Sequence, residues 1–172
     1  MASQFGVNTV TSANAARPIR INSSTPIGVV GTVLLPANAD TMTDKNKTIY
    51  DKIKEDSKLA MQKLKSVGIH SIAMLTGDNE KTALDIAEKI GIDNVKYDLL
   101  PDQKVAAFEE LMKMSSPKGK VIFTGDGIND APVLARADIG IAMGSLGSDA
   151  AIESADVVIM TDEPSKIAEA IK

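Results

Sequence analysis

From residue 53 onward, short β-branched runs take turns with amphipathic stretches that stop at glycine, and this alternation restricts the fold more than any other feature of the sequence. "IKEDSKLAMQKLKSVG" puts Ala60, Leu64 and Val67 on one helical face and ends at Gly68, a residue suited to the turn after a helix. "IHSIAML" then reads as a strand. "NEKTALDIAEKIG" is a second amphipathic helix closed by Gly91, and "PDQKVAAFEELMKM" is a third, with Pro101 suited to a first helical turn. The strand "KVIF", a short helix around "DAPVLARA", the strand "IGIAM", a helix around "SDAAIESA", the strand "VVIM" and a last helix "PSKIAEAIK" complete the series. Strands that alternate with helices predict an α/β fold: a Rossmann-like three-layer sandwich whose mostly parallel sheet is covered on both faces.

The chain before that point has another character. Residues 1–26 are rich in Ser, Thr, Asn and Ala without sustained period and predict an extended or poorly ordered arm. "IGVVGTVLL", bounded by Pro26 and Pro36, reads as a buried strand, and "PANADTMTDKNKT" as a polar loop. The expected organisation is therefore an arm over 1–26 and one α/β domain over 27–172. A net charge of −4 with no basic block leaves no cationic footprint for nucleic acid or an anionic membrane. The longest apolar run is broken by Pro36 and too short to span a bilayer, so no direct membrane insertion is expected, and the N-terminus lacks a signal-peptide layout. The absence of cysteine removes disulfides, zinc–thiolate sites and thiol catalysis, and agrees with a cytoplasmic location.

In an open α/β sheet, ligands bind beyond the carboxyl ends of the strands, so the residues directly after each apolar run are the candidates for chemistry. In "MLTGDN", Thr76 leaves a strand, Gly77 permits a tight turn, Asp78 follows, and a helix begins at once. A hydroxyl and backbone N–H groups at a helix N-terminus make a phosphate cradle, although the same letters also suit an ordinary turn with a helix cap. In "FTGDGIND", Asp126 leaves a strand between two glycines, with Asn129 and Asp130 close behind. Two carboxylates and an amide at one strand end supply hard oxygen ligands of the kind Mg²⁺ takes. Solvated acids in a glycine-rich turn are the plainer alternative, disfavoured because bunched anionic ligands repel unless something neutralises them. Taken alone, Lys104 reads as a surface helix lysine, His70 as a surface or satisfied histidine, Met112 and Met114 as packing residues, and "GSLGSD" as a turn between strand and helix.

"MLTGDNEKTALDIAEKIGI", "LLPDQKV" and "GDGINDAPVLARADIGIAMG", continued by "GSDAAIESADVVIM", resemble the phosphorylation domain of P-type ATPases, within the haloacid dehalogenase superfamily. The likeness runs over residues 53–172 and is nearest to the heavy-metal pumps for cadmium, zinc or copper. It implies that Thr76 hydrogen-bonds a transferred phosphoryl group, with Gly77 and Asp78 completing that motif, and that Lys104 neutralises the phosphoryl oxygens. It implies Asp126 as the Mg²⁺ ligand, and Asn129 and Asp130 as the groups that tie the phosphate site together, Asp130 standing beside Asp126 as a second candidate for the metal. In such pumps ATP phosphorylates an aspartate, and the phosphoryl group, the nucleotide-binding domain and the transport domain are the partners of this domain.

The sequence also departs from that pattern. The family's nucleophile stands in an Asp-Lys-Thr-Gly-Thr motif after an apolar strand, and this chain has none. "DKNKT" shares Asp44, Lys45 and Thr48 with it, but the polar "NADTMT" ahead of Asp44 favours a solvated loop over a nucleophile. The first fifty residues resemble the N-terminal arm of contractile-phage tail sheath proteins, where an extended segment precedes a "GVVGT" strand. On that likeness the chain is a chimera whose residues 27–34 take the sheet position of the catalytic strand; alternatively "IGVVGTVLLPANAD" is a changed form of a pump strand whose own ending resembles Ala39 and Asp40. Three functions are open at this point. They are a phosphorylation-domain fragment without its nucleophile, a stand-alone phosphatase acting through Asp44, and a structural module whose arm donates a strand.

Overall fold

The computed structural model describes residues 27–31, 56–115, 119–125, 128–144 and 149–171. The arm over 1–26 and the loop that carries Asp44 lie outside the described residues. Strands β1 (Ile27–Gly31), β2 (Ile69–Leu75), β3 (Asn94–Lys96), β4 (Lys120–Gly125), β5 (Ile139–Met143) and β6 (Val157–Ile159) form one sheet in the order β3-β2-β1-β4-β5-β6. Every pairing is parallel. The helices are α1 (residues 56–66), α2 (Glu80–Ile90), α3 (Pro101–Met114), α4 (Ala131–Leu134), α5 (Asp149–Ser154) and α6 (Ile167–Ala170).

Alternation along the strands assigns the two faces. Met74, Ile122, Ile141 and Ile159 pack under Leu64 of α1, Ile86 and Ile90 of α2, and Ile167 of α6. Leu75, Phe123 and Ala142 point the other way, against Phe108 of α3, Val133 and Leu134 of α4 and Ala151 of α5. On that second face the Phe108 and Phe123 rings meet edge to face, with centroids 5.4 Å apart and planes at 73°, a geometry that adds about 0.5–1.5 kcal/mol to their burial. The result is the three-layer sandwich expected from the sequence.

The strand order decides where a ligand can sit. From β1 the chain moves outward through β2 to β3, returns to β4 on the other side of β1, and continues outward to β6. The direction of winding reverses between β1 and β4, which opens a crevice at their carboxyl ends. Strand β1 is therefore central, with Gly31 level with Met74 of β2 and Thr124 of β4.

The last two strands begin with the same device. Asp138 accepts a hydrogen bond from Val121 N at 2.9 Å and donates its own N–H to Val121 O at 3.1 Å. Asp156 repeats this with Gly140, at 2.8 Å and 2.9 Å. Each aspartate clasps one residue of the neighbouring strand from both sides.

Several elements differ from the reading of the sequence. Strand β3 was not legible, because it is a three-residue edge strand with one apolar side chain. Helix α4 is a single turn preceded by a 3₁₀ turn at Ile128–Asp130, since its end abuts β5, where a Cβ on Gly140 would fall 2.6 Å from Leu134 O. "PSKIAEAIK" divides into a 3₁₀ turn, Pro164–Lys166, and the short α6. Met112 packs against the α3-side core as expected, whereas Met114 is 81% exposed. His70 is exposed.

Candidate functional site

Thr76 follows the last residue of β2 and is 5% exposed. Its Oγ1 donates to Asp78 Oδ2 at 2.9 Å and accepts from Asp78 N at 3.1 Å. The helix cap belongs to Asn79, whose Oδ1 accepts from Thr82 N at 3.1 Å, so the threonine is not consumed as a cap. The turn is stapled to the segment that leads into α3: Thr76 N donates to Lys96 O at 3.0 Å, Leu99 N to Thr76 O at 3.1 Å, and Asp98 N to Asp78 O at 2.8 Å. Asp98 adopts a left-handed φ of 53° to make that bond. A Cβ on Gly77 would lie 3.2 Å from Leu99 O, which shows how closely the two segments approach.

Helix α3 starts at Pro101, with Gln103 Oε1 accepting from Leu100 N at 2.9 Å. One turn in stands Lys104. It is 8% exposed, and its Nζ donates to Asp130 Oδ1 at 2.8 Å; Asp130 is itself 3% exposed. The surface role read for this lysine in isolation is thus corrected: it shares the i, i+3, i+4, i+7 stripe of Ala107, Phe108 and Leu111, a spacing visible in the sequence. Taking both charges out of water costs several kcal/mol, which close pairing and further hydrogen bonds must offset. Asp130 reaches this position by lying on the end of β4. A Cβ on Gly125 would fall 2.6 Å from Asp130 Cβ and 2.7 Å from its Oδ2, so only glycine leaves the room.

Asn129 is exposed beside Asp130. Asp126 and Asp44 lie outside the described residues, and among the described residues no three acidic, histidine or cysteine side chains gather to hold a metal. The structure brings Lys104 and Asp130 into contact at the end of β4, and it places Thr76 and Asp78 at the same carboxyl edge after β2.

Thr124 stands near the same carboxyl edge, and sequence motifs did not single it out. It is the penultimate residue of β4, 4% exposed, and its Oγ1 is buried without a hydrogen-bond partner. The signal was a lone hydroxyl closing the apolar run "VIFT". Ser57 Oγ, early in α1, is likewise buried without a partner.

A cation, hydroxyls and carboxylates at one strand edge suit phosphoryl oxygens, which take charge-assisted hydrogen bonds from an ammonium group. The oxygens of Asp130, Asn129 and Asp78 are hard donors of the kind Mg²⁺ takes, not the soft donors of a thiophilic metal.

The family of haloacid dehalogenase-like hydrolases matches residues 32–138. The cadmium, zinc and cobalt-transporting ATPase of Bacillus subtilis (strain 168) is 59% identical over 124 residues, covering 72% of this chain and 18% of that protein. A zinc-transporting PIB-type ATPase in its E2.Pi state is similar in structure, with a TM-score of 0.60 and 36% identity over 67% of this chain and 18% of that one. A 3-deoxy-D-manno-octulosonate 8-phosphate phosphatase from Moraxella catarrhalis, solved with magnesium, phosphate and KDO, covers 86% of this chain and 85% of its own, with a TM-score of 0.62. At 17% identity that likeness shows the fold alone. The chain thus matches a phosphorylation-domain segment of heavy-metal P-type ATPases and spans about a fifth of the length of the Bacillus subtilis pump.

Proposed function

The chain belongs to the haloacid dehalogenase-like hydrolase family, and on that premise we propose that it is the phosphorylation-domain portion of a metal-transporting P-type ATPase, keeping the phosphate- and Mg²⁺-binding half of the site. The observation that carries this reading is the buried Lys104–Asp130 pair at the carboxyl edge, beside the strand-order reversal and the Thr76 turn. An ammonium group held there by a carboxylate is fixed in place before a ligand arrives, so little reorganisation opposes its donation to phosphoryl oxygens. The Thr76 hydroxyl, which donates to Asp78 Oδ2 in the free protein, turns to a phosphoryl oxygen as a second donor when ligand binds. Asp126 and Asp130 would hold Mg²⁺ in this reading, which would supply positive charge to balance the phosphoryl oxygens.

The nucleophile motif of the pumps is absent from the sequence, so the isolated chain binds phosphate without turning over ATP. In the complete pump its partners are the nucleotide-binding and transport domains, on the cytoplasmic side. No helix among the described residues is long and apolar enough to cross a membrane. The cargo of that pump is a heavy-metal ion, a reading supported by the likeness to the cadmium, zinc and cobalt-transporting ATPase of Bacillus subtilis.

Titration calorimetry with inorganic phosphate in the presence of Mg²⁺ tests this. A lost charge-assisted hydrogen bond is worth about 1.5–3 kcal/mol, so Lys104→Met and Thr76→Val each weaken phosphate about tenfold or more. Equal affinity in wild type and Lys104→Met overturns the reading.

A further inference from the structure

Thr124 holds a hydroxyl that the fold itself leaves unused. In a parallel sheet, residues at the same level on adjacent strands share a face, and Thr124 stands level with Gly31 of β1, Met74 of β2 beyond it, and Ile141 of β5. Met74 is 2% exposed and Ile141 1%. Gly31 adds no side chain. Its register neighbours on the adjacent strands therefore offer it no polar side chain. A structural water needs two to four polar partners, which this level does not offer. Among the described residues, the polar groups at the carboxyl edge include the Asp130–Lys104 pair beside the end of β4 and Thr76 where it leaves β2.

We infer that Thr124 is a ligand-linked positioning residue: its hydroxyl gains its partner from an oxygen of the Mg²⁺–phosphate group bound at the carboxyl edge. The inference rests on the phosphate-binding reading above and deepens it. In the free protein the buried hydroxyl opposes folding, because its lost hydration is not replaced. In the loaded protein the same group donates into the site from beneath, on the opposite face of the sheet from the Lys104–Asp130 pair. Part of the binding energy thus comes from relieving a defect of the free fold.

The test compares wild type, Thr124→Val, Thr124→Ser and Ser57→Ala, each measured for thermal stability alone, for affinity to Mg²⁺ alone, and for affinity to inorganic phosphate with Mg²⁺. Valine keeps the shape and removes the hydroxyl, so the free protein melts about 2–4 °C higher while the loaded site weakens about tenfold. Serine restores the affinity. Ser57→Ala removes an equally buried and unpartnered hydroxyl and leaves both affinities at the wild-type value. Weakening that is already present with Mg²⁺ alone assigns the acceptor to water on the metal, and weakening only with phosphate assigns it to a phosphoryl oxygen; either supports the inference. A lower melting temperature in Thr124→Val, unchanged affinity, or equal losses in Thr124→Val and Ser57→Ala overturns it. If wild type itself fails to bind phosphate, the parent reading falls first and the inference falls with it. Wild-type binding that Thr124→Val leaves intact sinks the inference alone.

Discussion

Removing the charge of Lys104 while leaving Asp130 in place should be among the most damaging single changes this fold can suffer. The two side chains meet at 2.8 Å, with side-chain exposures of 10% and 4%. Lys104→Met keeps most of the apolar stem and deletes only the ammonium, so the change isolates electrostatics from packing. It takes the ammonium from a carboxylate that Gly125 and the β4 end hold in the interior, and breaking a buried pair in this way costs about 3–5 kcal/mol. Asp130→Asn keeps the shape of the acid and removes its charge. In the double variant neither member of the pair is charged, so it should recover part of the loss and give a coupling energy of about 2 kcal/mol, within the range found for residues in contact. The chain has no tryptophan, so urea denaturation followed by far-ultraviolet circular dichroism is the suitable assay. A Lys104→Met cost below about 1 kcal/mol, or a coupling energy near zero, would refute the argument that the pair is desolvated and mutually dependent.

Further expectations concern other parts of the molecule. Gly125→Ala forces a Cβ to within 2.6 Å of Asp130 Cβ, so it should cost about 1–3 kcal/mol by overpacking and weaken phosphate binding; a variant as stable as wild type contradicts the close approach. Tyr97 donates to Glu80 at 2.8 Å, and that hydrogen bond, then the Glu80 charge, raises its pKa above 10.0. The folded phenol holds its proton more tightly than the unfolded one, so the associated stability is complete below the ordinary tyrosine pKa and is lost as pH rises through the raised value. Absorbance titration in a Tyr50→Phe background should show Glu80→Gln returning Tyr97 toward 10.0, and an unmoved curve counts against the pairing. Incubation with Mg²⁺ and acetyl phosphate, followed by acid quench and intact-mass measurement, should leave the protein unmodified. A phosphoryl adduct that vanishes in Asp44→Ala would instead make the chain a phosphotransfer enzyme.

The helices and most strands were legible because their periodicity is local: the stripe of Ala60 and Leu64 or the alternation in "IHSIAML" needs no knowledge of neighbours. Strand β3 was not, since "NVK" at a sheet edge has too few apolar residues to carry a period. Thr76, Lys104 and Asp130 were legible through their motifs, but their contact was not, because Lys104 and Asp130 are 26 residues apart and meet only once the sheet order is known. Thr124 shows the limit most plainly. Its burial follows from standing beside Gly31 and Ile141, neighbours that no sequence window holds together.

The paired clasps of Asp138 and Asp156 separate two jobs between the two edges of the sheet. A slip of one residue would turn every side chain of a strand to the wrong face, and here that slip is blocked at the amino ends of β5 and β6, where each aspartate grips the strand before it. At the carboxyl ends the strands are tied by backbone groups instead, Thr76 N to Lys96 O and Gly144 N to Ile159 O, each at 3.0 Å. Side chains thus enforce order at the amino edge, and a defect such as the idle hydroxyl of Thr124 can persist at the other.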